Sequence, residues 1–281
     1  MIANKKFFIT GSKGFIGKSF LHYYGSSCDA YEYDRSRPIE DQLNYIKPDI
    51  IINFAAEIYD PEKMFDSNIL LVKKILDYCK NNKVEHFIQI GSSSEYGAKD
   101  NAMSEKDFLD PRNIYESTKG SASLLTQSYA RFYGIQTSII RPFSVFGHLE
   151  KPHRLFPKLA RAFLNNEEMV LNEGYHDFIY IKDFLNGIHQ VLLTDKKQSI
   201  GDIINLGSGM QYSNFQILGL FEKIFKRQGP VIKVDSFAKS FETKKWICDT
   251  SYTRSKYKFS TKHQIKEAIE DFLNETKKNN F

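Results

Sequence analysis

The chain has 281 residues, 41% of them hydrophobic and 26% charged, which suits a water-soluble globular protein of one large domain or of a domain with an appended lobe. The formal charge of +5 is spread along the sequence and no nucleic-acid motif is present, so no nucleic-acid partner is expected, whereas an anionic ligand is accommodated. Cys28, Cys79 and Cys248 stand far apart and outside any Cys-x-x-Cys pair, which argues against a disulfide framework or a thiolate metal site and for the reducing cytoplasm; no apolar run is long enough to span a membrane, and Phe7-Phe8-Ile9 is too short for a signal peptide.

Strand and helix signals alternate from the start. Lys6–Thr10 predicts a buried strand ended by a Gly-rich turn, and Phe15–Tyr24 a helix. Residues 30–34 predict a second strand, with Tyr31 and Tyr33 alternating, and the apolar run 50–56 a third. Pro61 marks the start of a long helix that runs to residue 80. A strand over 87–90, a helix of about five turns over Ile114–Tyr133 stopped by Gly134, and a strand over 136–140 continue the alternation. Such alternation implies a mostly parallel sheet covered on both faces. Beyond Pro142 the pattern loosens. It predicts a helix over 156–163, a strand over 177–181, a helix over 183–193 capped by Asp183, a strand over 203–206, helices over 215–225 and 264–273, and a polar tail over 276–280. The break near residue 145 reads as a domain boundary, with later segments near 177–206 returning to the first part.

The turn after the first strand is Thr10-Gly11-Ser12-Lys13-Gly14-Phe15-Ile16-Gly17. Glycines there permit a tight turn and bring backbone close to a pyrophosphate, and the helix that opens at Phe15 and Ile16 supplies free N–H groups. The spacing is Gly-x-x-Gly-x-x-Gly rather than Gly-x-Gly-x-x-Gly. Asp34 closes the second strand, 17 residues past Gly17, where a carboxylate accepts bonds from ribose hydroxyls and favours NAD; Arg35 and Arg37 next to it keep NADP open. Tyr115 and Lys119 are spaced i, i+4 on one helix face. An ammonium beside a phenol favours the phenolate, so this pair suits proton exchange with an alcohol during hydride transfer. Ser92 follows the strand over 87–90, at the end of the sheet where such folds bind ligands, and can hydrogen-bond the reacting oxygen.

Taken together these residues resemble the extended short-chain dehydrogenases/reductases, in particular the NAD-dependent epimerase/dehydratase group acting on nucleotide sugars. The resemblance rests on the glycine loop, Asp34, Pro48-Asp49, Asn53-Phe54-Ala55-Ala56, Asn68, the Ser92 segment, Tyr115 with Lys119 and Arg141-Pro142, and it continues through residues 174–183 and 205–209. It implies a Rossmann-type doubly wound parallel sheet over residues 1–145 with a smaller C-terminal substrate-binding lobe, mainly 146–281. It also implies Tyr115 as catalytic acid/base, Lys119 as its partner on the nicotinamide ribose, Ser92 as the catalytic hydroxyl, and Ala55 and Ala56 approaching the cofactor through backbone. A homodimer through the helices over 61–80 and Ile114–Tyr133 is implied as well.

Departures from that pattern narrow the chemistry. Dehydratases of the group carry an acidic pair just after the catalytic hydroxyl; here Ser93 and Ser94 stand there, with Ser93 facing substrate, and Glu95 comes one residue late. Ser144 stands where Asn is common, and His176 replaces the Arg that contacts substrate phosphate. A neutral His is a weaker phosphate ligand than a bidentate Arg. His153, Arg154, Lys158 and Lys239 are the alternative phosphate ligands. The expected activity is therefore that of an NAD(P)-dependent nucleotide-sugar 4-epimerase or 4-ketoreductase. Asp34 leans toward the first and the short chain toward the second, with a 4,6-dehydratase or a non-catalytic dinucleotide-binding regulator as rivals.

Overall fold

The computed structural model describes residues 4–194, 200–230, 232–233 and 245–278. Its centre is a sheet of six parallel strands in the order β2-β1-β3-β4-β5-β9, namely Asp29–Glu32, Lys6–Thr10, Ile50–Asn53, His86–Ile90, Thr137–Pro142 and Ile200–Leu206. Alternate residues of these strands face opposite layers. Phe7 and Ile9 of β1 and Ile50 and Ile52 of β3 join one core with Phe20 of α1 (Phe15–Tyr24). Phe8 and Ile51 join the other with Ile39 and Leu43 of α2 (Ile39–Ile46). Burial on both faces is why the strands read as unbroken apolar runs. The fold is a Rossmann-type α/β fold.

The long helix expected over 61–80 is three consecutive pieces: α3 (Pro61–Phe65), a π-helical turn (Asp66–Leu70) and α4 (Leu71–Asn81). With α5 (Ile114–Tyr133) it covers the second face. Beyond β5 the chain forms β6 (Ser144–Phe146), α6 (Leu155–Asn165), β7 (Met169–Val170), β8 (Tyr175–Tyr180) and α7 (Ile181–Leu193). After β9 come β10 (Gln211–Ser213), α8 (Asn214–Phe225), β11 (Ile232–Lys233), α9 (Ser251–Tyr257) and α10 (Ile265–Lys278). Strands β10, β8 and β6 form a second, smaller sheet, and β11 pairs with β7.

Several expectations shift. β3 stops at Asn53 instead of running to residue 56, because the chain leaves the sheet at Phe54 to line a cleft. β2 ends at Glu32, two residues before Asp34. Asp183 is not the cap of α7. That helix starts at Ile181, and the Asp183 carboxylate accepts the backbone N–H groups of Lys262 and His263 at 3.1 and 3.2 Å. Within the segment 177–206, β9 joins the large sheet but β8 joins the small one. Thr276 is buried on α10 rather than part of a polar tail, and residues 279–280 lie outside the described residues.

The strand order reverses at β1: β2 lies on one side of it and β3 on the other. Loops leaving the two sides diverge there and open a crevice. The loop after β1 meets the loop after β3 backbone to backbone. Gly11 has φ +69°, and a Cβ on it would fall 2.4 Å from the Ala55 nitrogen. A Cβ on Gly17 would fall 2.3 Å from the Gly11 carbonyl oxygen. Gly11→Ala therefore adds both strain and overlap. We expect it to lower unfolding stability by about 1–3 kcal/mol in urea titrations without added nucleotide; an unchanged midpoint would show that the two loops do not need this contact.

Candidate active site

A cleft of about 560 Å³ opens at the C-terminal ends of β1, β3, β4 and β5. Gly11, Gly14, Phe15, Ile16 and Gly17 form one wall with Ala56, and Ser92, Ser93, Tyr115 and Lys119 form the floor. Ser144, Arg154 and His176 come from the far side. Most of the residues singled out in the sequence thus converge on one cavity. The helix α1 begins there at Gly14, which offers no side-chain cap, so no cap side chain satisfies its first N–H groups at the cavity wall. That geometry fits the pyrophosphate of a dinucleotide.

Other candidates lie elsewhere. Ala55 is buried behind the wall, its N–H 3.4 Å from Thr10 Oγ1. Asp34 and Arg35 are exposed and do not line the cleft. The Asp34 carboxylate accepts the Ser36 hydroxyl at 2.7 Å and the Ser36 N–H at 2.9 Å, and these bonds hold it below the usual carboxylate range. Gln42 fixes its backbone by accepting from the Asp34 N–H and donating to the Asp34 carbonyl, at 3.0 and 2.8 Å. His153 is not in the lining; its Nε2 lies 3.0 Å from the hydroxyl of Tyr59, which is. Lys239 lies outside the described residues.

Ser92 caps a 3-10 turn, Ser93–Tyr96, and takes part in a capping box. Its Oγ accepts from the Ser94 N–H at 3.1 Å and lies 2.6 Å from the Ser94 hydroxyl, while its N–H donates to Glu95 Oε1 at 2.8 Å. Glu95 itself is fully buried, and its Oε2 accepts from Arg141 Nε at 2.8 Å. It is committed to this pair and is absent from the cavity lining.

The Tyr115–Lys119 pair differs from expectation in one respect. Lys119 Nζ donates to the Ile90 carbonyl at 2.5 Å. Burial pushes the Tyr115 phenol above its ordinary value, opposed by a hydrogen bond from Ser92, so the phenol is raised where the pair predicts it lowered. Burial also brings the Lys119 amine down to about 8, opposed by the Glu95 carboxylate. Asn68, in the π-helical turn, donates to Thr118 Oγ1 and to the Glu57 carbonyl, both at 3.0 Å, and accepts the Glu57 N–H at 2.8 Å. It thereby ties α5 to the loop after β3.

At the far side, burial brings His176 down to about 4, with the Arg154 guanidinium adding to the effect. The imidazole is neutral and sits 3.4 Å from the Ser144 hydroxyl. The cavity also contains residues that sequence reasoning passed over. Trp246, the single tryptophan, donates from Nε1 to Ser93 Oγ at 3.2 Å. Glu150 and Lys151 line the same wall as Arg154. No spacing rule connects residue 246 with residue 93, and an acid in the turn at residue 150 resembles any surface loop. Among the described residues no cluster of His, Cys, Asp and Glu could hold a metal ion, and no helix is long and apolar enough to cross a membrane.

Known proteins resemble this chain in sequence and in fold. Over 260 residues the chain is 30% identical to the low-salt glycan biosynthesis protein Agl12 of Haloferax volcanii, covering 79% of this chain and 82% of that one. Over 220 residues it is 27% identical to the dTDP-D-glucose 4,6-dehydratase of Dictyostelium discoideum, covering 71% of this chain but 49% of the dehydratase. Among solved structures, UDP-glucuronic acid 4-epimerase from Bacillus cereus, in complex with UDP-glucuronic acid and NAD, shares the fold with a TM-score of 0.85 at 24% identity, covering 98% of this chain and 100% of that one. Residues 7–207 match the NAD dependent epimerase/dehydratase family, and the chain belongs to that family.

Proposed function

We propose that this protein is an NAD-dependent nucleotide-sugar oxidoreductase acting at C4 of the sugar, as a 4-epimerase or a 4-ketoreductase. The observation that carries the reading is the convergence of Ser92, Tyr115 and Lys119 on the cleft into which the glycine loop and the start of α1 open. Relatives named for dTDP-glucose dehydration and UDP-glucuronic acid epimerisation support a nucleotide-sugar substrate and NAD. Asp34, ionised and held by Ser36, suits the two ribose hydroxyls of NAD better than a 2′-phosphate. In this reading residues 1–145 with β9 hold the cofactor, and the rest of 146–281 mainly holds the sugar nucleotide. Dehydration is disfavoured: Ser93 and Ser94 offer hydroxyls, and Glu95 is locked to Arg141. A purely regulatory role would leave the trio without a task.

Bound NAD supplies a reversible hydride acceptor at the sugar carbon. Tyr115, a protonated phenol in the resting cavity, gives its proton to the C4 oxygen on reduction and takes it back on oxidation. Ser92, which lines the cleft with Tyr115, donates to the same oxygen as charge develops. Lys119, one turn along α5 in the same cleft, supplies a positive charge that favours the phenolate when it forms. Neutral His176 positions a substrate oxygen together with Ser144, and the charge that meets the diphosphate comes from Arg154 and Lys151. A homodimer completes the reading. Ile114, Ser117, Ser121, Leu124, Ser128 and Phe132 form an exposed stripe on α5 at three- and four-residue spacing, beside exposed Phe65 and Leu70.

Four measurements test these statements. With UDP- and dTDP-linked hexoses, Tyr115→Phe should lose about 10²–10⁴-fold in kcat while still binding NAD, and full activity in that variant would refute the assignment. In the wild type, inversion at C4 without net change in reduced nicotinamide marks an epimerase, and stoichiometric consumption of it a reductase. Lys119 has a folded value near 8 against an ordinary 10.5, so between these the unfolded chain binds more protons and the wild type gains stability as pH rises. The stability advantage of Lys119→Met over wild type should accordingly be largest below pH 8 and shrink toward pH 10.5. A constant difference across that window would contradict a buried, charged amine. Leu124→Glu with Phe132→Glu should halve the mass seen by sedimentation, and an unchanged mass would remove α5 from the interface.

A further inference from the structure

Glu150 is the only carboxylate among the described residues that line the cleft. It sits in the turn after β6, where its N–H donates to the Gly147 carbonyl at 3.2 Å and the preceding Leu149 has φ +72°. Its side chain is 5% exposed. Oε1 accepts from Arg154 Nε at 3.3 Å, one turn onward at the start of α6, whereas Oε2 is buried and has no hydrogen-bond partner. A buried carboxylate oxygen without a donor is costly, and such atoms in native proteins are normally satisfied by a ligand or water. Burial pushes this carboxyl up to about 7, which measures how poorly the wall tolerates negative charge even beside Arg154.

We propose that Glu150 reads the sugar: its free oxygen accepts a neutral ring or side-chain hydroxyl, and its charge turns away sugars that carry a carboxylate at that end. The inference deepens the nucleotide-sugar reading and rests on it. A hydroxyl donates to Oε2 without adding charge. A uronate carboxylate offers no donor, and it meets a second carboxylate at that wall. The competing account makes Glu150 a brace that holds the 147–154 turn through Arg154. That account predicts equal consequences for every sugar.

The NAD-loaded full chain is titrated calorimetrically at about pH 8.5, above the Glu150 value of about 7 so that its carboxylate is ionised, with UDP- and dTDP-linked glucose and glucuronate, and with Trp246 fluorescence as a second readout of cavity occupancy. The wild type should prefer glucose over glucuronate by about tenfold or more. Glu150→Gln keeps the size, removes the charge and releases Arg154, so it should narrow or invert that preference by strengthening glucuronate binding. Melting temperature checks that the variant is folded. Equal weakening of both sugars in Glu150→Gln, or a wild type that prefers glucuronate, overturns the proposal. A wild type that binds none of these sugars overturns the nucleotide-sugar reading and this proposal with it, and that result is visible before any substitution is made.

Discussion

The catalytic end of the sheet depends on one buried ion pair, Glu95 with Arg141. The carboxylate accepts from Arg141 Nε and from the Ser92 N–H, both at 2.8 Å, and so joins the end of β5 to the turn after β4. The guanidinium lies 4.5 Å over the Tyr96 ring, and the Tyr96 hydroxyl donates to Asn205 Oδ1 at 2.8 Å, which brings in the end of β9. Asn205 Nδ2 then donates to the Met103 carbonyl at 3.1 Å. Gly91 has no room for a side chain, since a Cβ would lie 2.5 Å from Glu95 Oε1. Removing one member of such a pair typically costs about 3–5 kcal/mol, whereas an apolar replacement of both is often harmless. Its value here is positional: it fixes the backbone of Ser92, which lines the cleft with Tyr115.

Around that fixed point, burial rather than pairing sets the ionisation of the cleft. Desolvation is the leading influence on Tyr115, Lys119, Glu150 and His176 alike, and in each case it favours the uncharged form. A cavity of this kind strengthens every electrostatic contact made inside it. On the far side it leaves His176 neutral, so the cation there is Arg154, whose side chain is about half exposed.

The parts legible in the sequence are those dictated by backbone. The glycine loop, the central strands and the i, i+4 pair on α5 follow from sterics, two-faced burial and helix geometry, each of which leaves a local periodic or residue-type trace. What was misplaced follows from competition. β3 was read three residues too long because Phe54, Ala55 and Ala56 are as apolar as the strand they leave. Asp183 resembled a cap because its role is to hold the distant residues 262–263, which no window contains. The π-helical turn escaped notice because one extra residue per turn leaves the apolar pattern of 61–80 intact, while it is what turns Asn68 toward Thr118.

The same distinction separates two parts of the cleft. One wall is built from consecutive residues after β1, so it is written in one short stretch. The rest is lined by residues 92–94, 142–145, 150–151, 154, 175–176 and 246, which are far apart in sequence. Trp246 reaches Ser93 across 153 residues of sequence. A local signal cannot specify such a meeting, and each loop is free to change one side chain without disturbing the sheet. The positions at which this chain departs from the pattern it resembles, Ser93, Ser94, Ser144 and His176, all line the cleft, and none lies on the glycine loop.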